Sequence, residues 1–193
     1  LQIMLTERLD YIKSSKTKDL LLGNCQINVH NIHLVIQAIE ERNTIINLGL
    51  WTNCMDYKCM EKIINSFHKC NKIFMQNNYI GNNGAKVLAD FLRINKTVTM
   101  LSIEYNDITI SGMIHIVNAL KCNTTLKRLY IRQHSINGEE AILLTKIIAE
   151  NNHVEYLRII RPNYYYTINP DIKFIITNTR TEKYKQIIAQ IFV

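Results

Sequence analysis

The stretch from Asn95 to Gly112 reads NKTVTMLSIEYNDITISG, and the one from Asn123 to Ala141 reads NTTLKRLYIRQHSINGEEA. Their apolar residues stand a constant 28 positions apart: Val98 with Leu126, Leu101 with Leu129, Ile103 with Ile131, Ile108 with Ile136. A fixed interval of this kind leaves few folds open, because each unit must bury its apolar face against the next copy. Extended both ways, the pattern gives six units opening at Thr17, Ile45, Cys70, Val98, Leu126 and Val154, at steps of 28, 25, 28, 28 and 28. Three residues into each stand Leu20, Leu48, Ile73, Leu101, Leu129 and Leu157. Two further on come Leu22, Leu50, Met75, Ile103, Ile131 and Ile159. Next are Cys25, Asn53, Asn78, Asn106, His134 and Pro162, and two later Ile27, Met55, Ile80, Ile108, Ile136 and Tyr164.

Within a unit the spacing changes. The L-x-L pair has period 2, which puts both side chains on one face of a short strand. Val87, Leu88, Phe91 and Leu92 then recur at helical intervals, as do Ile114, Val117 and Leu120, and Leu143, Leu144, Ile147 and Ile148. Each unit therefore reads as a strand followed by a helix. Gly84 and Gly112, four residues after Ile80 and Ile108, are expected to ease the turn into the helix by removing Cβ. Asn53, Asn78 and Asn106 fall where the chain leaves the strand, and an amide side chain can both donate to and accept from inward-facing backbone groups there. Pro162 lacks such a side chain, so the sixth unit departs from the pattern. The short step from Ile45 to Cys70 predicts a shortened helix.

This L-x-x-L-x-L-x-x-N/C-x-I/L pattern resembles the leucine-rich repeat, and its length and helical second half resemble the ribonuclease-inhibitor subclass. The resemblance implies an α/β solenoid in a horseshoe arc, with a parallel inner β-sheet and outer α-helices. It divides the chain into an N-terminal cap helix or end of an earlier repeat at 1–16, six repeats over 17–164, and a C-terminal cap at 165–193. DIKFIITNT and TEKYKQIIAQIFV read as a terminal strand and helix, and the Tyr-rich NYYYT at 163–167 as cap packing.

At 47% apolar and 20% charged, the 193 residues suit one globular domain and exclude disorder. No apolar run approaches the roughly 18 residues of a membrane span. LQIMLTERLDYIK does not read as a secretory signal. Five cysteines, an odd number, suit reduced thiols in a cytoplasmic setting. Cys54, Cys59, His68 and Cys70 lack the paired C-x2-C spacing of a zinc site, so no metal and no cofactor is expected. Phosphate-cradling, metalloprotease and serine-hydrolase motifs are all missing, which argues against an enzyme. The sequons at Asn95 and Asn123 recur at one repeat position. A helix-ending Asn, which tolerates left-handed backbone, explains both without a sugar.

What remains is binding. Residues flanking each L-x-L core pair point to the opposite sheet face. There the sequence places Asn47, Gly49 and Trp51, then Lys72, Phe74 and Gln76, then Met100, Ser102 and Glu104. It continues with Arg128, Tyr130 and Arg132, then Tyr156, Arg158 and Ile160, with Tyr105, Gln133 and Arg161 at the strand-exit edge. Aromatic residues and Arg dominate binding hot spots. The expected partner-binding set is Trp51, Phe74, Glu104, Tyr105, Arg128, Tyr130, Arg132, Tyr156, Arg158 and Arg161. The expected partner is a protein with an acidic surface, held by Arg forks. Residues 120–193 carry eleven Lys or Arg against six Asp or Glu, which keeps nucleic acid or another polyanion as the alternative.

Overall fold

A computed structural model of the chain describes residues 2–15, 17–132, 153–160 and 175–176. Its elements, in chain order, are helix α1 (Gln2–Ser14), strand β1 (Asp19–Leu21), α2 (Ile32–Glu40), β2 (Ile45–Gly49) and α3 (Tyr57–Ile63). A 3₁₀ turn (Ile64–Lys69) follows, then β3 (Cys70–Phe74), α4 (Gly81–Ile94), β4 (Met100–Ser102), α5 (Ile110–Leu120), β5 (Arg128–Arg132), β6 (Tyr156–Ile160) and β7 (Ile175–Ile176). The strands form one sheet in chain order. β1 to β6 are paired in parallel, and β7 joins β6 antiparallel through Arg158 with Ile176 and Ile159 with Ile175. Parallel neighbours need a crossover, and from β1 to β5 the helices α2 to α5 supply it.

The register is the one the repeat predicts. Leu20, Leu48, Ile73, Leu101, Leu129 and Leu157 are Cα partners across the sheet. The first five are fully buried, as are Leu22, Leu50, Met75, Ile103 and Ile131. Together with Val35, Met60, Leu88, Met113 and Val117 from the helices they form one cluster, so the helices pack on the face that carries the leucine row. In α1, Leu5, Leu9 and Ile12 make a buried stripe at helical spacing that continues this cluster at the N-terminal end. The opening slot is buried at Ile45, Cys70, Val98, Leu126 and Val154. Thr17 is exposed, and its Oγ1 accepts from the Asp19 N–H at 3.1 Å. The short unit does carry a short helix: α3 has 7 residues and tightens directly into the 3₁₀ turn, which brings Phe67 into the core.

Two expectations need correction. Gly84 and Gly112 do not serve a turn; both lie buried inside helices. A Cβ on Gly112 would stand 2.6 Å from Asn82 Oδ1 and 3.1 Å from Ala85 Cβ, so this glycine lets α5 approach α4 closely. The left-handed glycine at the start of α4 is Gly81, with φ of +62°. Nor does Asn95 use left-handed backbone, since its φ and ψ are −70° and 137°. Its side chain works instead. Asn95 Oδ1 accepts from the Thr97 and Val98 N–H groups at 3.1 and 2.8 Å. Asn123 Oδ1 accepts from Thr125 and Leu126, while its Nδ2 donates to Leu92 O and Asn95 O of the preceding unit. Both amides are buried; each holds the turn into the next strand, and Asn123 also links its unit to the one before.

All five thiols are free; Cys25, Cys59 and Cys70 are buried, and Cys54 and Cys122 exposed. Burial pushes the Cys59 thiol up to about 11 and Cys70 to about 12, and raises Cys25 as well. Because the thiolate is the nucleophile, brief alkylation of the native chain near neutral pH is expected to label Cys54 and Cys122 alone. Mass spectrometry after denaturation without reductant should then find five labels. Fewer would reveal a disulfide.

Candidate functional site

From β1 to β5 the sheet face away from the helices carries two rows of Cα partners. One runs Asp19, Asn47, Lys72, Met100, Arg128 and the other Leu21, Gly49, Phe74, Ser102, Tyr130; in β6 the Cα partners of Arg128 and Tyr130 are Tyr156 and Arg158. Adjacent members are about 4.8 Å apart in such a sheet. Arg132 pairs with Ile160 one step further along β5 and β6. Past the strands, Asn24 N–H donates to Trp51 O, Thr52 N–H to Gln76 O and Asn77 N–H to Glu104 O, at 3.0, 2.9 and 2.9 Å. These bonds extend the ladder, so Trp51, Gln76 and Glu104 continue the arrangement at the strand-exit side.

The expected site residues do not all fall together. Trp51, Phe74 and Tyr130 are half-buried on this face, and Arg128 is exposed. Glu104 is partly engaged by its own face, accepting from Ser102 Oγ at 3.3 Å. Tyr105 stands at the exit edge with φ of +54°, where it lines a groove with Tyr79, Asn77 and Asp107. Arg132, Tyr156 and Arg158 have their backbone placed in β5 and β6. Arg161, Gln133, His134, Pro162 and the Tyr-rich segment lie outside the described residues. Beside the face, Lys127 and Glu155 pair at 3.6 Å.

The exit edge owes its shape to the asparagine slot. Asn53 Oδ1 accepts from Cys25 N–H at 2.9 Å and Ile27 N–H at 3.0 Å, and its Nδ2 donates to Leu22 O and Leu50 O. Asn78 and Asn106 donate in the same way to the carbonyls of Leu50 and Met75 in the preceding units. The residue before each slot (Asn24, Thr52, Asn77, Tyr105) is left-handed, with φ between +54° and +56°. That twist is what lets the exit loops follow one another at the strand spacing.

Two residues of the face escaped sequence reasoning, Asp19 and Leu21. Stepping back 28 positions from Asn47 and Gly49 finds both. Asp19 Oδ1 accepts from Asn47 Nδ2 at 2.8 Å. Among the described residues no group of three or more His, Cys, Asp or Glu is arranged to hold a metal ion. No described helix is long and apolar enough to cross a membrane.

No protein-family model matches the chain. Human leiomodin-3 is 29% identical over 101 residues, 51% of this chain and 17% of that protein. Human leiomodin-2 is 28% identical over 79 residues, 40% of this chain and 14% of the relative. The matched part is thus a small share of these relatives' length. The solved structure of leiomodin-1 actin-binding site 2 superimposes with a TM-score of 0.54 at 19% identity, covering 84% of this chain and 81% of that one. The fold is leucine-rich-repeat-like. The strand-plus-helix units, the leucine register and the asparagine slot agree with that likeness.

Proposed function

We propose that the chain is a non-enzymatic protein-interaction module, a curved solenoid of the ribonuclease-inhibitor-like subclass that takes its partner on a concave sheet face. Its parts are a helical cap or repeat end at 1–16, six repeats over 17–164 and a C-terminal cap at 165–193. The observation that carries the reading is the register of β5 and β6, which sets Arg128 beside Tyr156, Tyr130 beside Arg158 and Arg132 beside Ile160. Arg and Tyr side by side at strand spacing are the residue types that anchor protein interfaces, and Arg holds carboxylates in a bidentate fork. The partner therefore presents acidic groups. Because the leiomodin-1 structure is that of an actin-binding site, actin is the first partner to test. Free thiols suit a cytoplasmic setting.

The test pairs Arg132→Ala with Arg158→Ala. Cosedimentation with filamentous actin, or with another protein captured by pull-down, is expected to lose about tenfold or more in affinity while the melting temperature stays unchanged. Unchanged affinity moves the site to another surface. A steep loss of affinity with salt for an oligonucleotide, with no protein captured, replaces this reading with the polyanion one.

A further inference from the structure

We infer that the first three strands form a second recognition site, one that takes a basic side chain of a protein partner. Its floor is Trp51. The indole packs against two glycines: a Cβ on Gly23 would stand 2.1 Å from Trp51 Nε1, and one on Gly49 would stand 2.0 Å from Trp51 Cζ3, so neither position has room for a side chain. Trp51 also lines a groove with Leu21, Phe74, Asp19, Asn47 and Gln76.

The rim of this groove offers acceptors. Asp19 receives one hydrogen bond, from Asn47, and among the described residues no cation lies within 4.0 Å of its carboxylate. Gln76 Oε1 is buried and has no hydrogen-bond partner among the described residues. Lys72 stands one strand beyond Asn47 and does not line the groove.

An apolar floor with a π face, a carboxylate and an unmet acceptor selects among ligands. An anion is repelled by Asp19. A purely apolar side chain would dehydrate Asp19 and leave Gln76 unmet, which is costly. An arginine or lysine side chain satisfies all of them. Its methylene stem covers Leu21 and Phe74, its cation lies over the indole, and its N–H groups reach Asp19 and Gln76. The site is opposite in charge to the Arg128 end of the same face, with Asp19 and Arg128 about 19 Å apart across four strand spacings. A partner presenting a basic residue here and acidic residues there would bind in one orientation only.

Trp51 is the only tryptophan of the chain, so its fluorescence reports on this groove alone. The full chain is titrated with the peptide acetyl-Ala-Ala-Arg-Ala-Ala-amide and with the same peptide carrying norleucine in place of Arg. The arginine peptide is expected to give a saturable change in the millimolar range that weakens as salt is raised, and the norleucine peptide none. Asp19→Asn should weaken the arginine response by about fivefold, the scale of one half-exposed charge pair. Should circular dichroism show that variant misfolded, Gln76→Leu and the salt titration of the unaltered chain carry the test. Equal responses to the two peptides, no saturation, or insensitivity to salt would overturn the inference. Because a free peptide is used, failure to bind actin or failure of the Arg132 and Arg158 test leaves this result unaffected.

Discussion

Replacing Leu101 with alanine is expected to lower the unfolding free energy by about 2–5 kcal/mol, the range for truncating a fully buried leucine. Leu101 is wholly buried and sits in the centre of the leucine row, with Ile73 and Leu129 as its Cα partners on either side. In a stacked array the walls of the resulting cavity belong to three successive units, so no single unit can collapse to fill it. Urea denaturation followed by circular dichroism measures the loss. Met100→Ala is the control. Met100 precedes Leu101 on the same strand but is half-buried on the opposite face, and its truncation should cost less than about 1 kcal/mol. Comparable losses from the two would contradict the facing of β4.

The second large effect is expected from Asn53→Ala, at about 3 kcal/mol. The Asn53 side chain is the acceptor for the Cys25 and Ile27 N–H groups, and it donates to the Leu22 and Leu50 carbonyls. Alanine removes these bonds. The Leu50 carbonyl keeps the one from Asn78 Nδ2, but the Cys25 and Ile27 N–H groups lose their acceptor. Each unmet group costs about 1–3 kcal/mol before water or local rearrangement recovers part of it. Asn77→Gly supplies the contrast. Asn77 is exposed and left-handed with φ of +56°, a backbone state that glycine adopts without strain, so this change should be within about 0.5 kcal/mol of neutral. Amide hydrogen exchange at Cys25 and Ile27 would separate the mechanism from general destabilisation, because in Asn53→Ala those two amides should lose protection before the strand amides do.

The Leu101 result rests on a part of the protein legible from sequence, and the Asn53 result on a part only half legible. The sheet register followed from counting, because a core slot demands only apolar volume at the right separation, and that demand repeats with the unit. The shortened second unit was legible for the same reason: three missing residues must come out of the helical half, where α3 gives way to the 3₁₀ turn. The chemical purpose of the Asn slot could be argued from an amide's two ends, though which carbonyls and N–H groups it serves could not.

Pattern stopped being informative wherever a residue's role depends on what faces it from the neighbouring unit. Gly112 looked like a turn residue until Ala85 and Asn82 were found against it. Asn95 does close α4, as its repeat position suggested, but the sequence did not show that the Asn95 and Asn123 side chains fold back on backbone groups, those of the preceding unit included for Asn123. The sequence placed Trp51 on the right face, but its seat against Gly23 and Gly49, and the groove it makes with Asp19, arise from strands one repeat apart. Apolar periodicity, and with it the strand-plus-helix unit and the register, is a local property that a single chain records along its own length. Close approach, amide partners and grooves are set by atoms about 28 positions away, and only packing the units together brings those atoms into contact.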